Sequence, residues 1–374
     1  MLQRLYVHNF RCLENFELNV KNVPSALLIG KNGVGKSTVA AALELFQKIG
    51  WGVNRVGDLV KLRDFSRGRA NIPMRFEIEV LLEEKLYKYE LALELPEGFK
   101  ELRVREENLY FDGRILYSRK EAEVSLYRNL QSNQPTEFIV DWHIVALPIV
   151  QIQASFPQDP LRIFKTWLGG ILILSPIPKL MTGESTGETL QPMRDGSNFG
   201  EWVSGLLSRY PAAYTRIDGY LHEVMPDIRD FQNEVIGKET KNTVIRFEYE
   251  RTRLSIDFKH LSDGEKCFFL CAAVLAANHV YDEPLFCFWD EPDNYLSLSE
   301  VGHFIMDLRR SFKDKGQILV TSHNDEAIRR FSHENTFVLD RKSHLEPTLI
   351  KRLDEIQDLP SNLIDALICG DIHL

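Results

Sequence analysis

Five cysteines in 374 residues form no C-x-x-C pair and stand at no zinc-like spacing with histidine, which argues against a zinc-ribbon or thiol-redox module. Cys267 and Cys271 are four apart, one face of a helix, where packing accounts for them, and the odd total suits a reducing compartment. Long apolar runs are missing too. The longest, residues 267–277, is far too short to span a bilayer, as is the run around 168–174, so no membrane role is expected. The N-terminus enters Leu2-Gln3-Arg4-Leu5-Tyr6-Val7 with no apolar leader, and a cytoplasmic location is the expectation. Basic charge is not in excess: 45 Lys and Arg against 54 Asp and Glu give a formal net charge of −9. That balance argues against a surface coating nucleic acid broadly, while a local basic groove stays open. Neither an internal repeat nor a sustained heptad pattern occurs, so solenoids and long coiled coils are excluded. What remains is ordinary globular composition, 44% apolar and 26% charged, long enough for a core domain with a substantial insertion.

Against this plain background one stretch stands out. Gly30-Lys31-Asn32-Gly33-Val34-Gly35-Lys36-Ser37 follows the apolar run Ala26-Leu27-Leu28-Ile29 and opens a helix-like segment, residues 37–49. A G-x-x-x-x-G-K-[ST] match arises by chance in a chain this long with a frequency of order ~1%, and strand–loop–helix is the context it needs. Glycines let successive backbone N–H groups approach a phosphate, and the helix N-terminus favours the anion. Lys36 is expected to reach the β- and γ-phosphates of a nucleoside triphosphate, and the Ser37 hydroxyl to ligate Mg²⁺.

Residues 2–9 and 16–20 alternate as half-buried strands do. Residues 72–95 read as a hairpin around Glu83-Glu84-Lys85, and short strand-like pieces run from 101 to 124. Residues 158–230 look mainly helical, broken by a Gly-, Ser-, Thr- and Pro-rich loop at 181–198. Strands return at 243–249 and 253–258, and the last third alternates helix and buried strand, which is α/β wiring.

Three further elements follow in order. Leu261-Ser262-Asp263-Gly264-Glu265-Lys266 opens an apolar helix, residues 267–278. Ser262 with Glu265 three residues on is a capping box, and the same geometry exposes a hydroxyl and N–H groups where an anion binds. Pro284-Leu285-Phe286-Cys287-Phe288-Trp289-Asp290-Glu291 is a buried strand ending in two carboxylates, at the sheet edge where ligands bind in open α/β folds. Asp290 would hold the Mg²⁺ through its water shell and Glu291 would polarise the attacking water. Gln317-Ile318-Leu319-Val320-Thr321-Ser322-His323 is a second buried strand, whose terminal His323 could bond the γ-phosphate.

This order resembles the ABC-type ATPase family over roughly residues 1–50 and 243–340. The opening Leu5-Tyr6-Val7-His8-Asn9-Phe10-Arg11 and Asp290-Glu291-Pro292-Asp293-Asn294-Tyr295-Leu296 resemble its RecF, SMC and OLD-like branch. The resemblance implies a P-loop NTPase head of α/β class with a mixed sheet, an antiparallel β lobe and an inserted helical subdomain. It implies nucleotide contacts from Asn32, Gly33, Val34, Gly35, Lys36, Ser37, Thr38 and Arg11. It implies ATP and Mg²⁺ as cofactors, the metal held by Ser37 and Asp290, with Glu291 and His323 catalytic. In the head-to-tail homodimer or higher oligomer so implied, Ser262, Asp263, Gly264 and Glu265 of one subunit would face the γ-phosphate held by the other.

Three departures stand out: Asp263 replaces the signature's middle glycine, Ser297 stands where transporter ATPases carry aspartate, and the Q-loop glutamine has no clear place. Gln151 and Gln153 are candidates for it, or Ser175-Pro176 occupies that junction. The expected division is 1–60 and 243–345 for the ATPase head, 61–242 for the β lobe and helical insertion, and 346–374 for the tail. Only 51 residues follow His323, too few for the nuclease domain of OLD proteins, and the acids Asp354, Glu355, Asp358 and Asp365 read as a solvated face. The chain is therefore similar to stand-alone antiphage-defence ATPases of the PtuA and PARIS kind, which act through a separate nuclease. A RecF-like clamp on DNA is the alternative; Lys61, Arg63, Arg67 and Arg69, and Arg103, Arg105, Arg114, Arg119 and Lys120, are the basic clusters that could contact it. A transporter subunit ranks third, because the insertion is long and strand-bearing.

Overall fold

The computed structural model describes residues 1–127, 135–150, 159–237, 240–357, 363–369, 372 and 374. The chain divides into two compact units, and the strand Ser25–Ile29 gives its first residues to one and its last to the other.

The first unit comprises Met1–Val23, Leu28–Ile171 and His333–Leu374. Its main layer is an eight-stranded antiparallel sheet. The strands run Phe16–Asn19, Leu2–His8, Met74–Leu82, Lys85–Glu94, Arg103–Phe111, Arg114–Lys120, Glu123–Leu126 and Thr136–Ile139. Alternation sets its faces: along Met74–Leu82 every second residue is buried. The hairpin expected at 83–85 closes through Glu83 and Glu84, both at positive φ (47° and 62°), with Leu82 paired to Lys85. A two-residue turn of this hand matches the twist of its strands. The helix Lys36–Gly50 lies on this sheet through Phe46, which meets the rings of Phe76 and Tyr89 edge-on at 6.5 and 6.0 Å. Its end abuts the helix Pro160–Gly169 at a glycine pair. A Cβ on Gly50 would sit 2.3 Å from the Gly169 nitrogen, so no side chain fits there.

The second unit comprises Pro24–Leu27 and Leu172–Ser332. Its parallel core pairs Leu172–Leu174 with Phe286–Trp289, and Phe286–Trp289 with Gln317–Thr321; all three strands are buried throughout. A second, antiparallel sheet joins Glu184–Ser185, Thr240–Tyr249, Ile228–Ile236 and Thr252–Asp257. The α/β expectation holds, with two corrections, one inside the stretch 158–230 read as helical and one across its end. Leu172–Leu174 is a core strand, too short to carry its own periodicity. Ile228–Ile236 is a strand whose buried residues, Ile228 and Phe231, stand three apart. A register shift between Ile228 and Asp230 makes that helix-like spacing compatible with a strand. No described helix is long and apolar enough to cross a membrane.

Candidate ATP site

Glycine is required by the phosphate loop at two places. Gly30 has φ +156°, and a Cβ there would lie 2.3 Å from the Leu339 carbonyl oxygen. Gly35, at φ +112°, would meet Cys12 Sγ at 2.8 Å and Thr348 Oγ1 at 2.9 Å. Distant residues fasten the loop from outside. Thr348 Oγ1 donates to the Val34 carbonyl at 2.6 Å, and its N–H donates to the Cys12 carbonyl at 2.9 Å. Arg341 Nη1 donates to the Gly33 carbonyl at 3.4 Å, and Cys12 Sγ lies 3.5 Å from Thr38 Oγ1.

The helix that follows begins at Lys36 with no side-chain cap and no acid in its first turn. An N-terminus lacking both favours an anion. Lys36 is buried, and its Nζ donates to the Gly30 carbonyl at 2.7 Å and reaches the Lys31 carbonyl at 3.4 Å. A desolvated ammonium held at an uncapped helix start fits a polyphosphate. Asn32 and Gly33 on the loop and Ser37 in the first turn of the helix are exposed. Arg11 sits at φ +52° beside Cys12, but its guanidinium turns to the Asp64 carboxylate, 2.9 Å from Nε.

The carboxylates are built at the strand ends of the second unit. Asp290 follows Trp289, and its N–H donates to the Leu174 carbonyl at 2.7 Å. Thr321 Oγ1, at the end of the neighbouring strand, donates to Asp290 Oδ1 at 2.7 Å and accepts the Glu291 N–H at 2.9 Å. One buried hydroxyl thus sets both acids. Glu291 adopts φ +50°, uncommon for a residue with a side chain and a form of local strain found at working sites. Its Oε2 accepts from Asn294 Nδ2 at 2.5 Å, and its Oε1 stands 3.6 Å from His323 Nε2. Both Glu291 and His323 stay about one-third exposed. Behind them Ser322 Oγ donates to Asp293 Oδ2 at 2.7 Å; burial pushes the Asp293 carboxyl above its ordinary range and this bond opposes the rise. Arg194 Nη2 lies 3.8 Å from Asp290 Oδ2. Carboxylate oxygens of this kind suit a hard cation such as Mg²⁺.

Ser262 caps the helix Asp263–Val280 in a reciprocal box. The Glu265 N–H donates to Ser262 Oγ at 3.3 Å, and the Ser262 N–H donates to Glu265 Oε2 at 2.7 Å. Ser262 is exposed and Asp263 lies in the first turn. Gly264 packs on the loop after Glu291, since a Cβ there would stand 3.0 Å from the Tyr295 carbonyl oxygen. Ser297 has a local explanation: with Glu300 it caps the helix Leu298–Ser311. The Q-loop candidates Gln151 and Gln153 lie outside the described residues, while Ser175-Pro176, the alternative occupant of that junction, follows the strand whose last carbonyl holds Asp290.

Five residues that line these groups carried no sequence signal: Cys12, Arg194, Thr321, Arg341 and Thr348. Each acts on a partner far along the chain, so no local motif contains it.

Several of the basic side chains raised for DNA contact are internally committed. Arg119 is fully buried, 3.6 Å from Glu107, and cannot touch a solvent-side ligand. Arg103 pairs with Glu94 and Glu121, Arg105 with Glu94 and Glu106, and Arg67 and Arg69 both with Glu14. Asp354 and Glu355, read as part of a helix face, sit on a 3-10 turn and pair with Arg352; Asp358 lies outside the described residues.

A P-loop opening a helix, an acid pair at a parallel strand end and a serine-capped signature helix define an ABC-type P-loop ATPase. The chain belongs to the family described as "AAA domain, putative AbiEii toxin, Type IV TA system", which matches residues 25–329. Among solved structures it is similar to an Smc head bound to the C-terminal winged-helix domain of ScpA. That likeness has 14% identity and TM-score 0.55, covering 95% of this chain and 99% of that one. It is also similar to the Smc head with an extended coiled coil bound to the C-terminal domain of ScpA from Pyrococcus furiosus. There the identity is 11% and the TM-score 0.51, over 95% and 97% of the two chains. At these identities the fold is what is shared. No curated protein sequence matches the chain.

Proposed function

We propose that this protein is a Mg²⁺-dependent ATPase that works as an ATP-sandwich dimer and controls a separate nuclease effector in bacterial antiphage defence. The observation that carries the catalytic part is Glu291, strained at positive φ, with its carboxylate between Asn294 and His323. In this reading Lys36 and the backbone of Asn32 to Thr38 bind the phosphates, Ser37 and Asp290 would hold the metal, and Arg11 would add a cation only on leaving Asp64. A Mg²⁺ ion held by Ser37 and Asp290 would supply positive charge against the triphosphate. Glu291 orients a water and takes its proton as the oxygen attacks the γ-phosphorus. The bond to the bridging oxygen breaks, and ADP and phosphate leave. His323 steadies the water and the γ-phosphate.

The exposed Ser262, with Asp263, Gly264 and Glu265, would complete the site of a second subunit. Residues 1–60 and 243–345 form the working head in this account, 346–374 a tail whose Thr348 fastens the P-loop, and 61–242 the β lobe and helical insertion, with an effector docking between residues 60 and 250. The defence role is supported by the family's toxin–antitoxin description. The ion-paired arginines make it preferable to a DNA clamp.

Action in trans is the feature to test. Lys36→Ala removes the phosphate cation and Ser262→Arg blocks the partner's γ-phosphate, so each should be inactive alone. Mixed, they should regain ATPase activity through one intact composite site. Heterodimers that form but show no rescue would overturn the sandwich.

A further inference from the structure

We propose that Arg194 is a displaceable counter-ion of Asp290, so that metal binding and the position of the 193–198 turn are linked. The inference rests on the reading of Asp290 as the Mg²⁺ carboxylate. Asp290 is nearly buried, with its side chain 11% exposed. Its two oxygens face different groups: Oδ1 takes the Thr321 hydroxyl, and Oδ2 faces the Arg194 guanidinium. A divalent cation served by Asp290 and a guanidinium beside Oδ2 repel each other at this range. Occupation by one therefore weakens the other, and the coupling is reciprocal.

The backbone around Arg194 is built to hold this side chain in place. Ser175 N–H donates to the Arg194 carbonyl at 2.7 Å, and Ile177 N–H donates to the Asp195 carbonyl at 2.9 Å. These bonds fasten the turn beside the strand whose Leu174 carbonyl accepts the Asp290 N–H. Asp195 Oδ1 accepts the Ser197 N–H at 3.0 Å, and Asn198 Oδ1 accepts the Met193 N–H at 2.6 Å. Gly196 turns at φ +74° against Met181. The helix Phe199–Arg209 starts at once afterwards. A guanidinium that leaves Asp290 is therefore tethered to a compact turn at the head of that helix. The backbone bonds, Asp195 and Asn198 keep the turn folded when Arg194 is changed, while the Arg194–Asp290 pair adds the further tie that metal would release.

Mn²⁺ serves as the probe, titrated into the full-length protein with saturating ADP and read by electron paramagnetic resonance. Arg194→Gln should bind Mn²⁺ about three- to fivefold more tightly than the parent, as loss of a partly exposed ion pair allows. Arg194→Lys, which keeps the charge, should stay close to the parent. Amide exchange across residues 193–198 should speed up on Mn²⁺ addition in the parent and be metal-independent in Arg194→Gln. Unchanged Mn²⁺ affinity in Arg194→Gln, or equal changes in the Gln and Lys variants, would overturn the inference while leaving the ATPase reading standing. A parent protein that binds no Mn²⁺ with ADP would overturn both.

Discussion

Two glutamates of this protein occupy opposite environments. Glu107, in the β lobe, is fully buried and saturated. Its Oε1 accepts from the Tyr89 and Tyr117 hydroxyls at 2.9 and 2.7 Å and from the Leu147 N–H at 2.8 Å. Its Oε2 accepts from the Ala146 N–H at 2.7 Å, with Arg119 beside it. Burial next to that carboxylate drives both tyrosine hydroxyls far above their ordinary pKa. Arg119 in turn donates to the Glu121, Ile144 and Asp141 carbonyls, so the network fastens residues 141–147 onto the sheet. Glu291 has two side-chain neighbours, a strained backbone and an open face. A carboxylate whose lone pairs are all engaged holds structure; one with capacity to spare at a strand end can take a proton from water. On the proposed reading, exposure and unused hydrogen-bonding capacity together set Glu291 apart from Glu107.

The comparison can be broken from the structural side first. Glu107→Gln keeps the shape but puts an amide N–H₂ against donors and leaves Arg119 buried without its anion. Its cost should be about 3–5 kcal/mol of folding stability, read from the denaturant midpoint. ATP turnover per folded molecule should stay within about twofold, since sites that share no partners act independently. A large loss of turnover at full folding would show that the lobe network serves chemistry.

A smaller effect sharpens the other side. Thr321→Val is close in shape and removes the hydroxyl joining Asp290 to the Glu291 N–H. Removing that shared partner from two part-buried groups costs about 1–3 kcal/mol. Turnover should fall about ten- to hundredfold, with Mg²⁺ dependence shifted to higher concentration. Turnover equal to the parent would mean that the hydroxyl does not set the acids.

What could be read in advance followed contiguity. The P-loop, the Asp290-Glu291 pair, His323 and the Ser262 box were legible because their defining residues are neighbours in sequence, and strand or helix context could be checked locally. The hairpin at 83–85 was legible for the same reason. Cys12 and Thr348 were not, because they touch Gly35 from the two ends of the chain. Nor was the Thr321 relay, which needs the register of two parallel strands to be known. The positive φ of Glu291 has no residue-type signal, since glutamate rarely adopts it. Ile228–Ile236 was lost to its own irregularity: a bulge gave a strand the spacing of a helix. The arginines of the β lobe looked like a surface cluster in sequence, and their carboxylate partners lie on neighbouring strands.

The central claim is that Glu291 acts on water and contributes little to holding the nucleotide. Glu291→Gln keeps the side-chain length and an oxygen for Asn294, and removes the base. Equilibrium ATP binding and single-turnover hydrolysis, measured on the same preparation, test it most directly. The account predicts ATP affinity within about threefold of the parent and hydrolysis slowed by at least about a hundredfold, with an ATP-bound dimer accumulating. Hydrolysis at the parent rate, or loss of ATP binding in a folded variant, would contradict it.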